Sequence, residues 1–219
     1  MDHQELVKKS GLLRYVKEED HKEALEQFDI LERSYPKGKV VFGEDDVIDR
    51  ICIVTHGSIR SEKTYPDGDV HIVSVFQEGE IFGLEVFMSQ KKTAPVDFLA
   101  NEVCRVLFLS VREDRPGPHM VALRRALAEQ LADDNIRKAH KIEILAERGL
   151  RDRVMVYLDI LARKSGSNEV TVPMSREQLS QYLCVNRSAL SNALNQMKRE
   201  GIIDFRGHTF RILKKSRYI

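Results

Sequence analysis

Residues 175–203 read SREQLSQYLCVNRSALSNALNQMKREGII, and the organisation of the whole chain can be worked out from them. Ser175 with Gln178 three residues on has the form of a capping box, in which a hydroxyl and an amide each satisfy a backbone N–H at a helix start. Leu179, Tyr182 and Leu183 then fall on one face. The pattern predicts a helix over 176–183 and a second over 187–200, separated only by Cys184, Val185 and Asn186, with Asn186 as the N-cap of the second. This is helix-turn-helix spacing. Along the second helix Ala189, Leu190, Ala193, Leu194 and Met197 make an apolar side expected to face a core, while Ser188, Ser191, Asn192 and Asn195 recur at i, i+3, i+4 and i+7 on another face. Short hydrogen-bonding groups suit base edges in the major groove, where Arg can fork onto guanine and Asn onto adenine. Arg187 at one end and Lys198 with Arg199 at the other supply charge. Beyond Gly201 the runs IIDF and TFRIL flank Arg206-Gly207-His208 and predict a hairpin. Such a wing would carry Arg206, Arg211, Lys214, Lys215 and Arg217 as candidate phosphate contacts.

The charge distribution agrees with this placement. The 219 residues carry 35 Lys and Arg against 34 Asp and Glu, a net charge of +1. Residues 1–149 hold 22 basic and 28 acidic groups, whereas residues 150–219 hold 13 and 6. A basic C-terminal third on an acidic body is expected when one small domain meets a polyanion and the remainder does not.

Working toward the N-terminus, a second helical face (Leu150, Val154, Tyr157, Leu158, Leu161) ends near Lys164, and Gly149 marks a hinge before it. Between Pro118 and Gly149 neither proline nor glycine occurs, which predicts a helix of about 30 residues, far above the usual length. Its stripe of Met120, Leu127, Leu131, Ala139, Ile142 and Leu145, interrupted by Asn135, reads as a dimer seam, with Leu127, Leu131, Asn135 and Ile142 as interface residues. From Val40 to Leu109 short β-rich runs (VVF, ICIV, SIR, HIVSVF, PVDFLA, VCRVLFLS) alternate with glycine turns, predicting a small antiparallel roll with a hairpin at Asp67-Gly68. Residues 18–31, EEDHKEALEQFDIL, are read as an amphipathic helix with Ala24, Leu25, Phe28 and Leu31 on one side. The expected class is α+β, with a sensor domain over 1–117, a dimerisation helix over 118–148 and a reader domain over 149–219.

Several function classes are set aside. No apolar run is long enough to cross a bilayer and the first ten residues lack the apolar stretch of a signal peptide, so the expected location is the cytoplasm. Cys52, Cys104 and Cys184 form no CxxC pair, and no local metal site is expected. GxSxG, HExxH, a Walker loop and a dinucleotide fingerprint are all missing. Glu85 and Asp97 have no recognisable catalytic partner, so no catalytic residue is assigned.

Taken together, from about Leu12 to Leu213, the chain resembles Crp/Fnr-type transcription regulators: a cyclic-nucleotide-binding-like roll, a long dimerisation helix and a winged helix-turn-helix. The resemblance rests on the order of parts, the KGKVVF start at 37–42, Gly57, Gly79 and Phe82-Gly83, and above all YLCVNRSALSNALNQMKREGII. It implies base contacts at Arg187, Ser188 and Asn192; Ser191 and Asn195 are added from helical spacing. It also implies a symmetric dimer on a near-palindromic duplex, and RNA polymerase as a partner if the protein activates. Members that bind cyclic AMP hold its phosphate with a Gly-Glu pair and a following Arg-Ser pair. Here these read Gly83-Leu84, with Glu85 displaced by one, and Lys92-Thr93; Lys92 offers charge without a planar fork. Asp45 stands where the family commonly has a glycine. The pocket at Gly83, Leu84, Glu85, Lys92 and Thr93, with Asn135 reaching it from the helix, is therefore expected to take a small-molecule effector other than cyclic AMP. No cofactor is expected. The iron–sulfur sensors of the family need N-terminal cysteines, and none precedes Cys52; the seven histidines show no paired haem-ligand pattern. A cyclic-nucleotide-responsive regulator of the same fold and a ligand sensor acting through protein contacts are the alternatives.

Overall fold

The computed structural model describes residues 3–112 and 117–214. The chain forms two compact units, one of Met1–Lys63 with Val73–Asp134 and one of Thr64–Ile72 with Asn135–Ile219.

The first unit opens with α1 (His3–Lys9), a 3-10 turn at Glu18–Asp20 and α2 (His21–Leu25). The helix expected to run from Glu18 to Leu31 therefore stops six residues early, and its last part becomes β1 (Phe28–Tyr35). The cause is non-local. Phe28 is buried and Asp29 exposed, and all eight residues of β1 find antiparallel partners, Phe28 opposite Val111 through Tyr35 opposite Cys104. A period-2 face with a complete ladder outweighs a helical stripe of four residues.

Next come β2 (Val40–Phe42), β3 (Ile51–His56), β4 (Ile59–Thr64), β5 (Val70–Phe76), β6 (Ile81–Phe82), the short α3 (Leu84–Phe87), β7 (Asp97–Ala100) and β8 (Cys104–Val111). They make two four-stranded sheets, ordered β1-β8-β3-β6 and β2-β7-β4-β5. Between them Phe76, Phe82 and Phe98 are fully buried, with ring centroids 5.6 to 6.4 Å apart. Gly57, in the turn joining β3 to β4, has φ +73°, and a Cβ there would lie 2.5 Å from the Val103 carbonyl oxygen, so only glycine fits.

A long helix, α4 (Met120–Ala146), follows, as the proline- and glycine-free stretch predicts. The expected seam is partly corrected. Leu127 is 5 % exposed and joins Leu123 in a core with Leu12, Leu13, Ile51 and Leu109; Leu131 packs against the same cluster. These two leucines are occupied within the chain. The outward face instead repeats every seven residues at Val121, Ala128, Asn135 and Ile142, with Ala132, Ala139 and Ala146 interleaved. Asn135 and Ile142 thus lie on the exposed face, whereas Leu127 and Leu131 do not. Their error is one residue, about 100° of helix. The division between compact units falls inside α4, between Asp134 and Asn135, rather than at its ends.

In the second unit α4 gives way to α5 (Leu150–Ser165), with Gly149 extended at its N-cap and Gly166 left-handed at its C-cap, a helix break and a stop where the two glycines predict them. Then follow β9 (Glu169–Thr171), α6 (Arg176–Tyr182), α7 (Arg187–Arg199), β10 (Ile203–Arg206) and β11 (Thr209–Ile212). The last two strands form a hairpin, and β9 adds to it in the order β10-β11-β9. Val154, Leu158, Leu179, Leu183, Leu190, Leu194, Met197 and Phe210 are buried.

Candidate nucleic-acid interface

Two capped helices and a hairpin build the site. Ser175 Oγ accepts from the Gln178 N–H at 3.2 Å while Gln178 Oε1 accepts from the Ser175 N–H at 2.9 Å, completing the predicted capping box of α6. The chain reverses through Cys184, whose φ of +53° is the left-handed turn a helix-turn-helix requires. At the start of α7 the Asn186 side chain accepts from the Ser188 N–H at 2.9 Å and from the Ser188 hydroxyl at 2.6 Å. The cap therefore fixes the first turn of α7, and Ser188 is oriented by it.

Leu190, Leu194 and Met197 are buried beneath α7. Ala189, expected with them, is exposed. Above, Arg187, Ser188, Asn192 and Asn195 are exposed and Ser191 is half-buried, so the predicted polar face exists as one surface. The side chains of Asn192 and Asn195 make no hydrogen bond among the described residues, which leaves their amides open to a ligand. Arg187 Nε lies 3.3 Å from Glu177 on α6; both groups are exposed and screened by water, so the guanidinium can exchange partners at little cost.

Lys198 behaves differently from expectation. Its ammonium lies 2.5 Å from Asp204 and 3.3 Å from the Phe205 carbonyl oxygen, and the hydrogen bond holds the Asp204 carboxyl below its ordinary range. It is a tie between α7 and the wing. Arg206, at the tip of β10, is exposed without an ion-pair partner among the described residues. Arg211 is paired with Glu169 at 2.7 Å and Lys214 donates to the Glu200 carbonyl at 3.0 Å. Lys215 and Arg217 lie outside the described residues. Arg176 opens α6, and helical periodicity assigns it no role. The only available signal was a basic residue directly after the cap.

The expected effector residues lie in the roll. Gly83, at φ +65°, is the left-handed N-cap of α3, and a Cβ there would be 3.0 Å from Ile48 Cδ1. Ile48 N in turn donates to the Lys92 carbonyl at 2.8 Å, so one motif meets the buried side chain of Ile48 and the other its backbone. Leu84 is buried in the core and Glu85 is half-buried. Lys92 and Thr93 are exposed; Lys92 has φ +53° and its ammonium is 5.8 Å from the Phe87 ring centroid. Asp45 has φ +68°, a left-handed conformation that favours glycine. Asn135 belongs to the second compact unit.

Residues 32–113 match the model of the cyclic nucleotide-binding domain, and residues 152–217 match that of the Crp-like helix-turn-helix domain. The nitrogen fixation regulation protein FixK of Bradyrhizobium diazoefficiens is 27 % identical over 190 residues, covering 82 % of this chain and 77 % of that protein. Electron transport regulator A of Shewanella oneidensis is 22 % identical over 187 residues, covering 82 % and 74 %. Among solved structures, FixK2 from Bradyrhizobium japonicum superposes with a TM-score of 0.66 at 22 % identity, over 85 % of this chain and 93 % of that one. The global regulator CLP of Xanthomonas campestris, described as responsive to c-di-GMP, gives 0.68 at 18 % identity over 91 % and 100 %. No described helix is long and apolar enough to cross a membrane. Matched in order by a roll model and a reader model, with relatives named as regulators across four-fifths of its length, the chain belongs to the Crp/Fnr family of DNA-binding transcription regulators.

Proposed function

We propose that the protein is a homodimeric cytoplasmic regulator that reads a near-palindromic operator and answers to a small molecule, other than cyclic AMP, held in its roll. The observation that carries this reading is the face of α7, where capped backbone and open amides at Asn192 and Asn195 sit beside the exposed Arg187. In this division of labour residues 1–117 sense, 118–148 pair two chains and 149–219 read DNA. Arg187, Ser188, Ser191, Asn192 and Asn195 address bases, while Arg206 and Lys215 anchor phosphates. The exposed heptad of α4 supports pairing, because small alanines allow close approach and Asn135 in the seam favours one register. RNA polymerase is the further partner at promoters the protein activates.

For the effector, the buried Leu84 stands where the resemblance places the Glu of the phosphate-holding Gly-Glu pair, and the exposed Lys92 lacks the fork that fixes a cyclic phosphate. Selection of genomic fragments by the purified protein tests the reading. It should enrich one inverted-repeat motif with salt-sensitive binding, and recovery of random fragments only would overturn it. Titration calorimetry with cyclic AMP and cyclic GMP should give no heat at low micromolar ligand. Heat accompanied by tighter operator binding would make the protein a cyclic-nucleotide-responsive regulator instead, a reading favoured by the domain match at 32–113.

A further inference from the structure

We propose that Arg176 is a positioning residue that holds the wing at a fixed angle to the recognition helix, so that Arg206 meets the DNA backbone in register with base readout by α7. The inference rests on the DNA-binding reading above. It starts from the contacts gathered at the hairpin's two aromatic rings. The Arg176 guanidinium carbon lies 4.8 Å from the centroid of Phe205 and 4.5 Å from that of Phe210, and Nη2 donates to the Gly207 carbonyl at 3.0 Å. Phe205 and Phe210 face each other across the hairpin at 5.5 Å, as cross-strand partners in the register of β10 and β11. Lys198 of α7 also sits 5.1 Å from the Phe205 ring centroid and bonds to the Phe205 carbonyl.

The hairpin is thus gripped by a cation from each helix of the helix-turn-helix. Arg suits the α6 position because its planar, weakly hydrated guanidinium can cover two ring faces and still spend an N–H on the turn carbonyl; a lysine ammonium cannot do all three. Partial burial works against the charge and lowers the Arg176 pKa, though a guanidinium remains protonated. An exposed two-residue turn such as Gly207-His208 would otherwise swing, spreading Arg206 over many positions and weakening any one phosphate contact.

The alternative is that Arg176 itself touches a phosphate, and substitution can separate the two. Arg176→Met should speed amide hydrogen exchange in β10 and β11 of the free protein at least tenfold while leaving α5 and α7 protected. It should also weaken operator binding about fivefold to tenfold, and adding Arg206→Ala should then cost little more. Arg176→Lys should not restore affinity. Rescue by lysine, unchanged wing exchange or full additivity with Arg206→Ala would each overturn the proposal. If Arg176→Met fails to fold, Phe205→Leu removes the ring both cations share and should give the same exchange signature. Because exchange is read without DNA, a wild-type protein that binds no duplex would overturn the regulatory reading while the clamp was still measured.

Discussion

At the scale of single residues, the interface divides side chains that wait for a ligand from side chains already in use. Asn192 belongs to the first kind: its amide is open and lies on the outward face of α7. Asn192→Ala should cost about 1–3 kcal/mol at the matched operator and relax preference at one base pair, whereas Arg206→Ala should weaken all duplexes alike and reduce the salt slope by about 1. Equal losses on specific and random DNA for both variants would remove the distinction. Lys198 belongs to the second kind, and periodicity could not have revealed it, because its partners Asp204 and Phe205 lie on the other side of a turn. Cys184 carries a backbone cost instead. At φ +53° a side chain with a Cβ is strained by roughly 1 kcal/mol, so Cys184→Gly should raise the thermal midpoint of the reader unit and Cys184→Val should lower it. A lower midpoint for Cys184→Gly in calorimetric unfolding would contradict this account of the turn.

At the scale of elements, α4 has two faces with different duties. Leu127→Ala removes a side chain from the core shared with Leu12 and Leu109 and should destabilise the first unit by about 2–4 kcal/mol without changing the association state. Ile142, 69 % exposed, should do the reverse: Ile142→Asp should leave unfolding of the isolated chain nearly unchanged and yield monomers in sedimentation. The far end of α4 carries a second feature. Lys141 places its ammonium 3.3 Å from the Tyr182 ring centroid and bonds to the carbonyl oxygens of Tyr182 and Ile72, and desolvation lowers its pKa to about 7. A lysine titrating lower in the folded state than in the unfolded chain binds fewer protons when folded, so stability rises with pH between about 7 and the ordinary value of 10.5. Lys141→Met should flatten that rise by a few kcal/mol, on the order of 1.4 per pKa unit. Parallel stability curves for the two proteins across this range would show that Lys141 keeps its charge freely.

At the scale of the whole molecule, the operator should display the protein's symmetry. On the proposed reading, two copies joined along the α4 heptad would present two α7 helices, which calls for half-sites centred about 10 bp apart or a multiple of that. Inserting 5 bp between half-sites should lower affinity at least a hundredfold, because it turns one half-site to the opposite face of the duplex; inserting 10 bp should cost less. Indifference to spacing in a gel-shift titration would mean that each chain binds alone. An effector needs only to favour the DNA-competent arrangement by about 1–3 kcal/mol to act as a switch.

Local signals were enough to determine much of this protein. The capping box at Ser175 and Gln178, the Asn186 cap, the glycine punctuation of the roll and the uninterrupted stretch after Pro118 are all short-range devices, and each appears where its residues predict it. What only the tertiary structure decided depends on partners distant in sequence. Residues 28–31 carry a plausible helical stripe, yet they form a strand because β8, about eighty residues later, offers a complete ladder. Leu127 and Ile142 are equally apolar in sequence, but Leu127 turns inward because the N-terminal segment and the roll present Leu12 and Leu109 to it, while Ile142 stays at the surface. Arg176 and Lys198 are basic residues in a basic domain until the folded hairpin brings Phe205 between them. A sequence determines which residues can be buried or paired, whereas the choice among those possibilities is made by surfaces that exist only once the chain has folded.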